Sequence, residues 1–166
     1  PLLKHGLDGL LIVGSEAALT WTEPFVAQRI PIARIGSAPY HPAVRTVAVD
    51  ERAGLAKLLR HLSGSGRHRI GFIGSTARPH AHRFALFKEL AAQAQCELDP
   101  VWSGFSSTGL YEAGAAAYHD LVSRSGTHLP DALVASSDVV AIGALSALRE
   151  AGIRVPEDIA VTGFDD

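Results

Sequence analysis

The chain has 166 residues, of which 47% are hydrophobic and 19% are charged, and its formal net charge is −2. This composition excludes a disordered chain, and the charge gives no general attraction to nucleic acid or to an anionic membrane. The single cysteine, Cys96, excludes a disulfide framework and fits a reducing compartment, and no apolar stretch approaches the length of a membrane span.

Five short apolar runs follow one another along the chain and predict β-strands. They are continuous rather than alternating, which is typical of parallel strands with both faces covered. Between them apolar residues recur at helical spacing, as in the four leucines from Leu55 to Leu62. The predicted strands are 9–13, 30–35, 69–73, 132–135 and 159–164, and the predicted helices include 83–95, 109–122 and 138–151. Strands alternating with helices predict an α/β fold with a doubly wound parallel sheet.

Three further segments complete the organisation. Residues 16–29 have helical character, but Pro24 falls inside them, so we expect a break or a fresh start at Glu23. Residues 36–42 and 63–66 are loose connections rich in proline, glycine or serine, and 47–50 is a candidate strand that bridges two lobes.

Small, hydroxyl or acidic residues follow every predicted strand. Ligands of parallel sheets bind outside the carboxyl ends of the strands, and carboxylates there accept hydrogen bonds from hydroxyl groups. Serine and aspartate also cap helices, and Asp138 fits both readings, so the pattern alone leaves them open. The strand-end residues are Gly14-Ser15-Glu16, Gly36-Ser37, Gly74-Ser75-Thr76, Ser136-Ser137-Asp138 and Gly163-Phe164-Asp165-Asp166.

Arg83 and two aromatic residues are further ligand candidates. Arg83 lies near the start of a predicted helix, where its charge opposes the helix dipole, and a guanidinium binds sugar oxygens or a carboxylate well. Phe105 sits in a Gly/Ser-rich stretch predicted as a loop, where it would either stack on a ligand or dip into the core. Trp102 is an equal candidate by position.

Motifs for catalysis and for metal binding do not emerge. The eight histidines lack Cys or Glu partners at ligand spacing, and no nucleophile elbow, Walker A loop or dinucleotide fingerprint follows a strand. No acid–base pair can be named, so we expect a binding protein with no cofactor and no metal. The basic cluster from Arg67 to Arg69 precedes a strand and is expected to form a solvated turn.

Several stretches, in order, resemble the effector-binding region of the LacI/GalR family of bacterial transcription regulators. The most specific are ALVASSDVVAIGAL at 132–145 and GIRVPEDIAVTGFDD at 152–166. KHGLDGLLIVGSE, IPIARIG, VDERAG and RHRIGFIG complete the set at 4–16, 30–36, 49–54 and 67–74. Their order and spacing match the family across nearly the whole chain.

The resemblance implies a periplasmic-binding-protein-like fold of two doubly wound α/β lobes, with a sugar-like or related polar effector bound in the cleft between them. Residues 1–46 would be the tail of the first lobe and 47–166 most of the second. The family further implies a cytoplasmic homodimer with no membrane partner. Operator DNA would be bound through a helix-turn-helix headpiece that this stretch of sequence does not contain.

The resemblance also assigns effector contacts to individual positions. Asp138 matches the acid of the family's N-D or S-D pair, which accepts sugar hydroxyls, and Arg83 matches the arginine opening the helix after the RIGFIG strand. Phe105 falls near the aromatic that packs against the effector, Ser15 near the first-lobe contact, and Asp165 at the rim of the cleft.

The chain departs from the family pattern at four places. Asp50-Glu51 occupies the place where the family usually has Asp-Asn, and Leu86 occupies the place of a glycine. At Arg67-His68 the usual G-H order is reversed. These three changes are tolerable. Gly36 replaces the acid of the second strand and removes a polar contact, so the common sugar ligands are not assumed.

Two other functions remain open from the sequence. The same fold serves secreted sugar-binding proteins of transport systems, and a signal peptide in the natural polypeptide would favour that reading. A doubly wound sheet can also carry an enzyme, with Asp138 or Asp165 as a base.

Overall fold

The computed structural model describes residues 6–13, 19–36, 41–76, 78–107 and 111–165. The chain divides into two compact units, Pro1–Glu51 and Arg52–Asp166. Ser15 and Asp166, both singled out from the sequence, lie outside the described residues.

The first unit contains a parallel three-stranded sheet with the order β1-β2-β3. Its strands are β1 (Leu10–Val13), β2 (Ile32–Gly36) and β3 (Val44–Ala48), and α1 (Glu23–Ala27) follows a short 3-10 helix, Leu19–Thr22. Helix α1 begins at Glu23 with Pro24 in its first turn, where a proline costs no hydrogen bond, and this confirms the predicted fresh start. Phe25, Ile32 and Val44 form the small core beneath the sheet.

Strand β3 differs from its prediction. The sequence placed a bridging strand at 47–50 and the division between lobes after Thr46. In the structure Val44–Ala48 pairs with β2 in continuous register, from Ile32 opposite Val44 to Gly36 opposite Ala48. This pairing holds the whole strand in the first sheet, which belongs to the compact unit that ends at Glu51.

The second unit contains a four-stranded parallel sheet with the order β5-β4-β6-β7. Strands β4, β6 and β7 confirm the apolar runs predicted as strands. The elements in chain order are α2 (Glu51–Gly64), β4 (Ile70–Ser75), α3 (Arg78–Gln93), a 3-10 helix (Pro100–Trp102), β5 (Ser103–Ser106), α4 (Tyr111–Ser125), β6 (Ala132–Ala135), α5 (Asp138–Glu150) and β7 (Ala160–Thr162).

Helices cover both faces of this sheet, as a doubly wound fold requires. Leu55, Leu59 and Phe87, from α2 and α3, pack on one face against Phe72 of β4. The core on the other face includes Leu121 and Leu148, from α4 and α5. Adjacent side chains along each strand therefore enter opposite cores, which is why the strand sequences are apolar throughout rather than alternating.

The amino ends of β4 and β6 are joined by Asp131. Its Oδ1 accepts a hydrogen bond from Arg69 Nε at 2.9 Å, and its Oδ2 accepts from the backbone amides of His68 and Arg69 at 3.3 and 3.0 Å. Partial burial raises the pKa of Asp131, but these hydrogen bonds outweigh it, and the pKa lies below its ordinary value. His68 and Arg69 are exposed, as expected for a solvated cluster, but the cluster is also hydrogen-bonded to the rest of the unit, since Arg67 donates to the Pro156 carbonyl oxygen at 2.6 Å.

Candidate functional site

Polar groups collect at the carboxyl edge of the second-unit sheet. Ser75 ends β4 and is fully buried, Ser136 and Ser137 follow β6 and are buried, and Gly163 and Phe164 follow β7. This is the edge at which parallel sheets bind ligands, because loops and helix amino ends face one another there.

Arg83 lies at the centre of this edge. It is on α3, is only 8% exposed, and donates a hydrogen bond from Nη1 to the carbonyl oxygen of Ser136. The same Nη1 lies 3.6 Å from Asp165 Oδ1, and Arg83 Cζ lies 4.0 Å from the centre of the Phe164 ring. A buried arginine that contacts a carbonyl, a carboxylate and an aromatic face is held in a fixed position, as a ligand-binding guanidinium needs to be.

Asp138 is fixed against the β7 end of the same edge. Its backbone amide donates to the Phe164 carbonyl oxygen at 2.9 Å. A Cβ atom added to Gly163 would come within 1.9 Å of Asp138 Oδ1, so the carboxylate occupies space that any other residue at 163 would fill. The cap of α5 is provided by Ser137, whose hydroxyl accepts from the Val140 amide. Helix capping therefore does not account for the Asp138 side chain, which was the alternative left open by the sequence.

Asp165 is the exposed member of the cluster. Its side chain is 60% exposed and pairs with the largely buried Arg83. Its φ angle of 129° lies in a region that favours glycine, and such strained residues are found at ligand sites. The neighbouring Phe164 ring packs over Gly54 of α2, where a Cβ would be 3.2 Å from the ring.

Phe105 and Trp102, the two aromatic candidates, lie in different environments in the second unit. The predicted loop around Phe105 is wrong: residues 103–106 form β5, because they pair with β4 in register from Phe72 opposite Ser103. The Phe105 ring packs edge-on against Phe84 with centres 4.9 Å apart, and Phe84 is the residue after Arg83 on α3. Trp102 is fully buried and donates from Nε1 to the His128 carbonyl oxygen, so it is a core residue.

The structure thus brings Arg83, Asp138 and Asp165 together and places Phe105 on the opposite edge strand. The sequence analysis named Ser136, Gly163 and Phe164 among the strand-end residues, but it did not predict their contacts with Arg83 and Asp138. The GFDD sequence contains Gly163 and Phe164, but nothing in it indicates that β6 and β7 lie side by side.

A family model described as the periplasmic binding protein-like domain matches residues 59–166, more than half of the chain. The chain belongs to this family. The HTH-type transcriptional repressor PurR of Haemophilus influenzae is 32% identical over 177 residues, which cover 99% of this chain and 49% of that protein. The chain spans about half the length of the curated relatives it matches.

The solved structures that are similar to this chain are also transcription regulators. A sugar-binding transcriptional regulator of the LacI family from Escherichia coli, complexed with phosphate, has a TM-score of 0.83 and 28% identity, covering 99% of this chain and 59% of that one. A complex of the transcriptional regulator CelR with cellobiose has a TM-score of 0.83 and 28% identity, covering 99% of this chain and 51% of the other. These findings confirm the resemblance to LacI-type regulators and the periplasmic-binding-protein-like fold.

A departure from the LacI-type pattern in the first unit has a structural reason. Arg34 of β2 is 2% exposed, and its guanidinium folds over Gly36, where an added Cβ would be 2.6–2.8 Å from three guanidinium atoms. The guanidinium of Arg34, from the middle of β2, therefore fills the space beside Gly36, where the family pattern has an acid. The resemblance to the family had shown only that the acid is absent at position 36.

No three His, Cys, Asp or Glu side chains in the described ranges are grouped so that they could hold a metal ion. Within those ranges, each helix is too short or too polar to cross a bilayer.

Proposed function

We propose that this chain is the effector-binding core of a LacI-type transcriptional regulator and that a small polar, sugar-like metabolite binds at the carboxyl edge of the second-unit sheet. The observation that carries the proposal is the convergence of Arg83, Asp138 and Asp165 at the ends of adjacent elements. Sugar hydroxyls need both donors and acceptors, and this cluster offers a guanidinium and two carboxylates. The cellobiose complex of the structurally similar CelR supports this ligand class.

The three side chains take different roles in the proposal. Asp138 accepts hydrogen bonds from effector hydroxyls, because the contact with Gly163 holds its carboxylate in place before the ligand arrives. Arg83 donates to effector oxygens and is oriented by Ser136 and Phe164. Asp165 is exposed and forms the rim. Phe105, and Ser15 in the first unit, remain contacts that the family resemblance alone suggests.

Coupling to DNA is the second part of the proposal. The matched relatives are HTH-type regulators, so we infer a helix-turn-helix headpiece elsewhere in the natural polypeptide and a cytoplasmic site of action on operator DNA. Effector binding would change operator affinity by favouring one conformation of the effector domain.

A homodimer is supported by the outer face of α5. Val139, Ile142 and Leu145 are 46%, 55% and 38% exposed there, and Tyr111 of α4 is 44% exposed. Tyr111, Ile142, Leu145 and Ile153 line one open groove. An apolar helix face of this kind is typical of a surface that a second copy covers.

Neither alternative function is favoured. The matched relatives are transcription regulators rather than transport receptors or enzymes. We therefore propose no catalytic activity for Asp138 or Asp165.

The experiment that separates regulator from transport receptor is the N-terminal sequence and intact mass of the natural full-length polypeptide. A basic helix-turn-helix segment preceding this chain supports the proposal. A cleaved signal sequence in its place would refute it and assign the protein to transport.

A further inference from the structure

A second cavity lies away from the polar cluster, along the free edge of the second-unit sheet. This cavity, here called the β5 groove, has a volume of about 470 Å³, within the usual range for small-molecule sites. Phe84 and Phe87 of α3 form one wall, and Phe105 of β5 and Leu98 form another. Its lining is therefore mainly aromatic and aliphatic.

The backbone of the edge strand is not available to a partner. The carbonyl oxygen of Ser103 accepts a hydrogen bond from Arg124 Nη2, and the amide of Phe105 donates to Asp120 Oδ2 at 3.4 Å. Asp120 and Arg124, one turn apart on α4, also pair with each other at 2.7 Å. Because these side chains occupy the outward backbone groups, an extended peptide or a second copy cannot add as a strand. The groove is left to a ligand bound by its side chains.

The charged side chains at the rim of the β5 groove indicate the sign of the charge that its ligand carries. Asp120 and Arg124 neutralise each other, and the carboxylate of Asp99 accepts a hydrogen bond from the Val101 amide at 3.0 Å. Lys88 is different: its ammonium lies 4.8 Å from the centre of the Phe84 ring, and no carboxylate of the described residues pairs with it.

We propose that the β5 groove binds a small amphipathic anion, such as an aromatic or short aliphatic monocarboxylate. The apolar body packs among Phe84, Phe87 and Phe105, and the carboxylate meets the Lys88 ammonium. The groove lies apart from the polar cluster, since Arg83, Asp138 and Asp165 do not line it, whereas Phe105, an effector contact by family resemblance only, does line it. Because Phe84 follows Arg83 on α3, an occupant would contact the helix that positions the effector-binding arginine.

The test uses the purified full-length protein and two matched probes, 1-naphthoate and the uncharged 1-naphthylmethanol, titrated while backbone amides are observed by NMR. We expect saturable shifts for both probes, largest at Ser103 and Phe105. Lys88→Gln should weaken naphthoate binding by about threefold, as for an exposed ion pair, and leave the alcohol unaffected. Lys57→Gln, which removes an exposed lysine of α2 outside the groove, should change neither.

A second variant blocks the cavity instead of changing its charge. Ser103→Trp places a large side chain in the groove, and we expect it to abolish binding of both probes while the protein keeps its thermal transition. Three results would each overturn the proposal: absence of saturable shifts, equal naphthoate affinity in Lys88→Gln and the unaltered protein, or shifts centred on the exposed apolar face of the first sheet at Leu11 and Val13.

Discussion

Gly163 provides the sharpest test of the site geometry. In Gly163→Ala the new Cβ would lie 1.9 Å from Asp138 Oδ1, 3.0 Å from Cγ and 3.1 Å from Cα. An ordinary carbon–oxygen contact is about 3.3 Å, so the carboxylate oxygen must retreat by about 1.4 Å. The φ angle of Gly163 is not in the left-handed region, so alanine meets no backbone obstacle and the clash with Asp138 decides the outcome.

Forced overpacking of this kind costs about 1–3 kcal/mol, and about 2 kcal/mol lowers the melting temperature of a chain of this size by about 4–8 °C. In an Asp138→Ala background the two closest atoms, Oδ1 and Cγ, are gone, so Gly163→Ala should then cost less than about 1 kcal/mol. Urea unfolding of the four proteins in this cycle measures the difference.

The control is Gly64→Ala, because nothing lies within 4 Å of a Cβ at that position near the end of α2. It should be neutral or stabilising by about 0.4–1 kcal/mol, the usual result of replacing glycine where alanine fits. An equal loss from Gly163→Ala with and without the Asp138 carboxylate would refute the contact.

Three other predictions concern the remainder of the second unit. Asp131→Asn weakens the acceptor for Arg69, so we expect a loss of about 1–3 kcal/mol at neutral pH. The pKa of Asp131 is lower in the folded than in the unfolded protein, so the stability difference between the two proteins is fully present above the unfolded pKa, about 4. It disappears as the pH falls through the pKa of the folded protein. Urea unfolding that shows the same stability difference at every pH would contradict this. Carboxyl NMR should show Asp158 titrating with a pKa of about 2, owing to hydrogen bonds from Arg154, and a normal value would show that the pair does not form in solution. Ile142→Lys should convert a dimer to a monomer in sedimentation, and an unchanged dimer would place the interface elsewhere.

Several strands were predicted correctly because their own residues form a recognisable apolar run. Strands β4, β6 and β7 are buried or partly buried along their length, so each reads as an apolar run. Strand β5 has the sequence Ser-Gly-Phe-Ser and was predicted as a loop. Its strand conformation comes from pairing with β4, a tertiary interaction that a four-residue pattern does not encode.

The position of the polar cluster at the carboxyl edge of the sheet was predictable, but the contacts within it were not. The rule that parallel sheets bind ligands at strand carboxyl ends placed Asp138 and Asp165 at one edge. The close approach of Asp138 to Gly163 depends on the pairing of β6 with β7, and the folding of Arg34 over Gly36 depends on a side-chain conformation. Neither distance can be read from spacing along the chain.

The most direct test of the proposed function compares effector binding in two variants that each neutralise one carboxylate. A thermal-shift screen of mono- and disaccharides, cellobiose among them, selects the ligand, which is then titrated calorimetrically into the full-length protein. We predict that Asp138→Asn lowers affinity by about tenfold or more, as expected for hydrogen bonds to a charged group, at an unchanged melting temperature. Asp8→Asn, an exposed carboxylate before β1, should leave affinity unchanged. Undiminished affinity in Asp138→Asn would contradict the assignment of the effector site to this edge of the sheet.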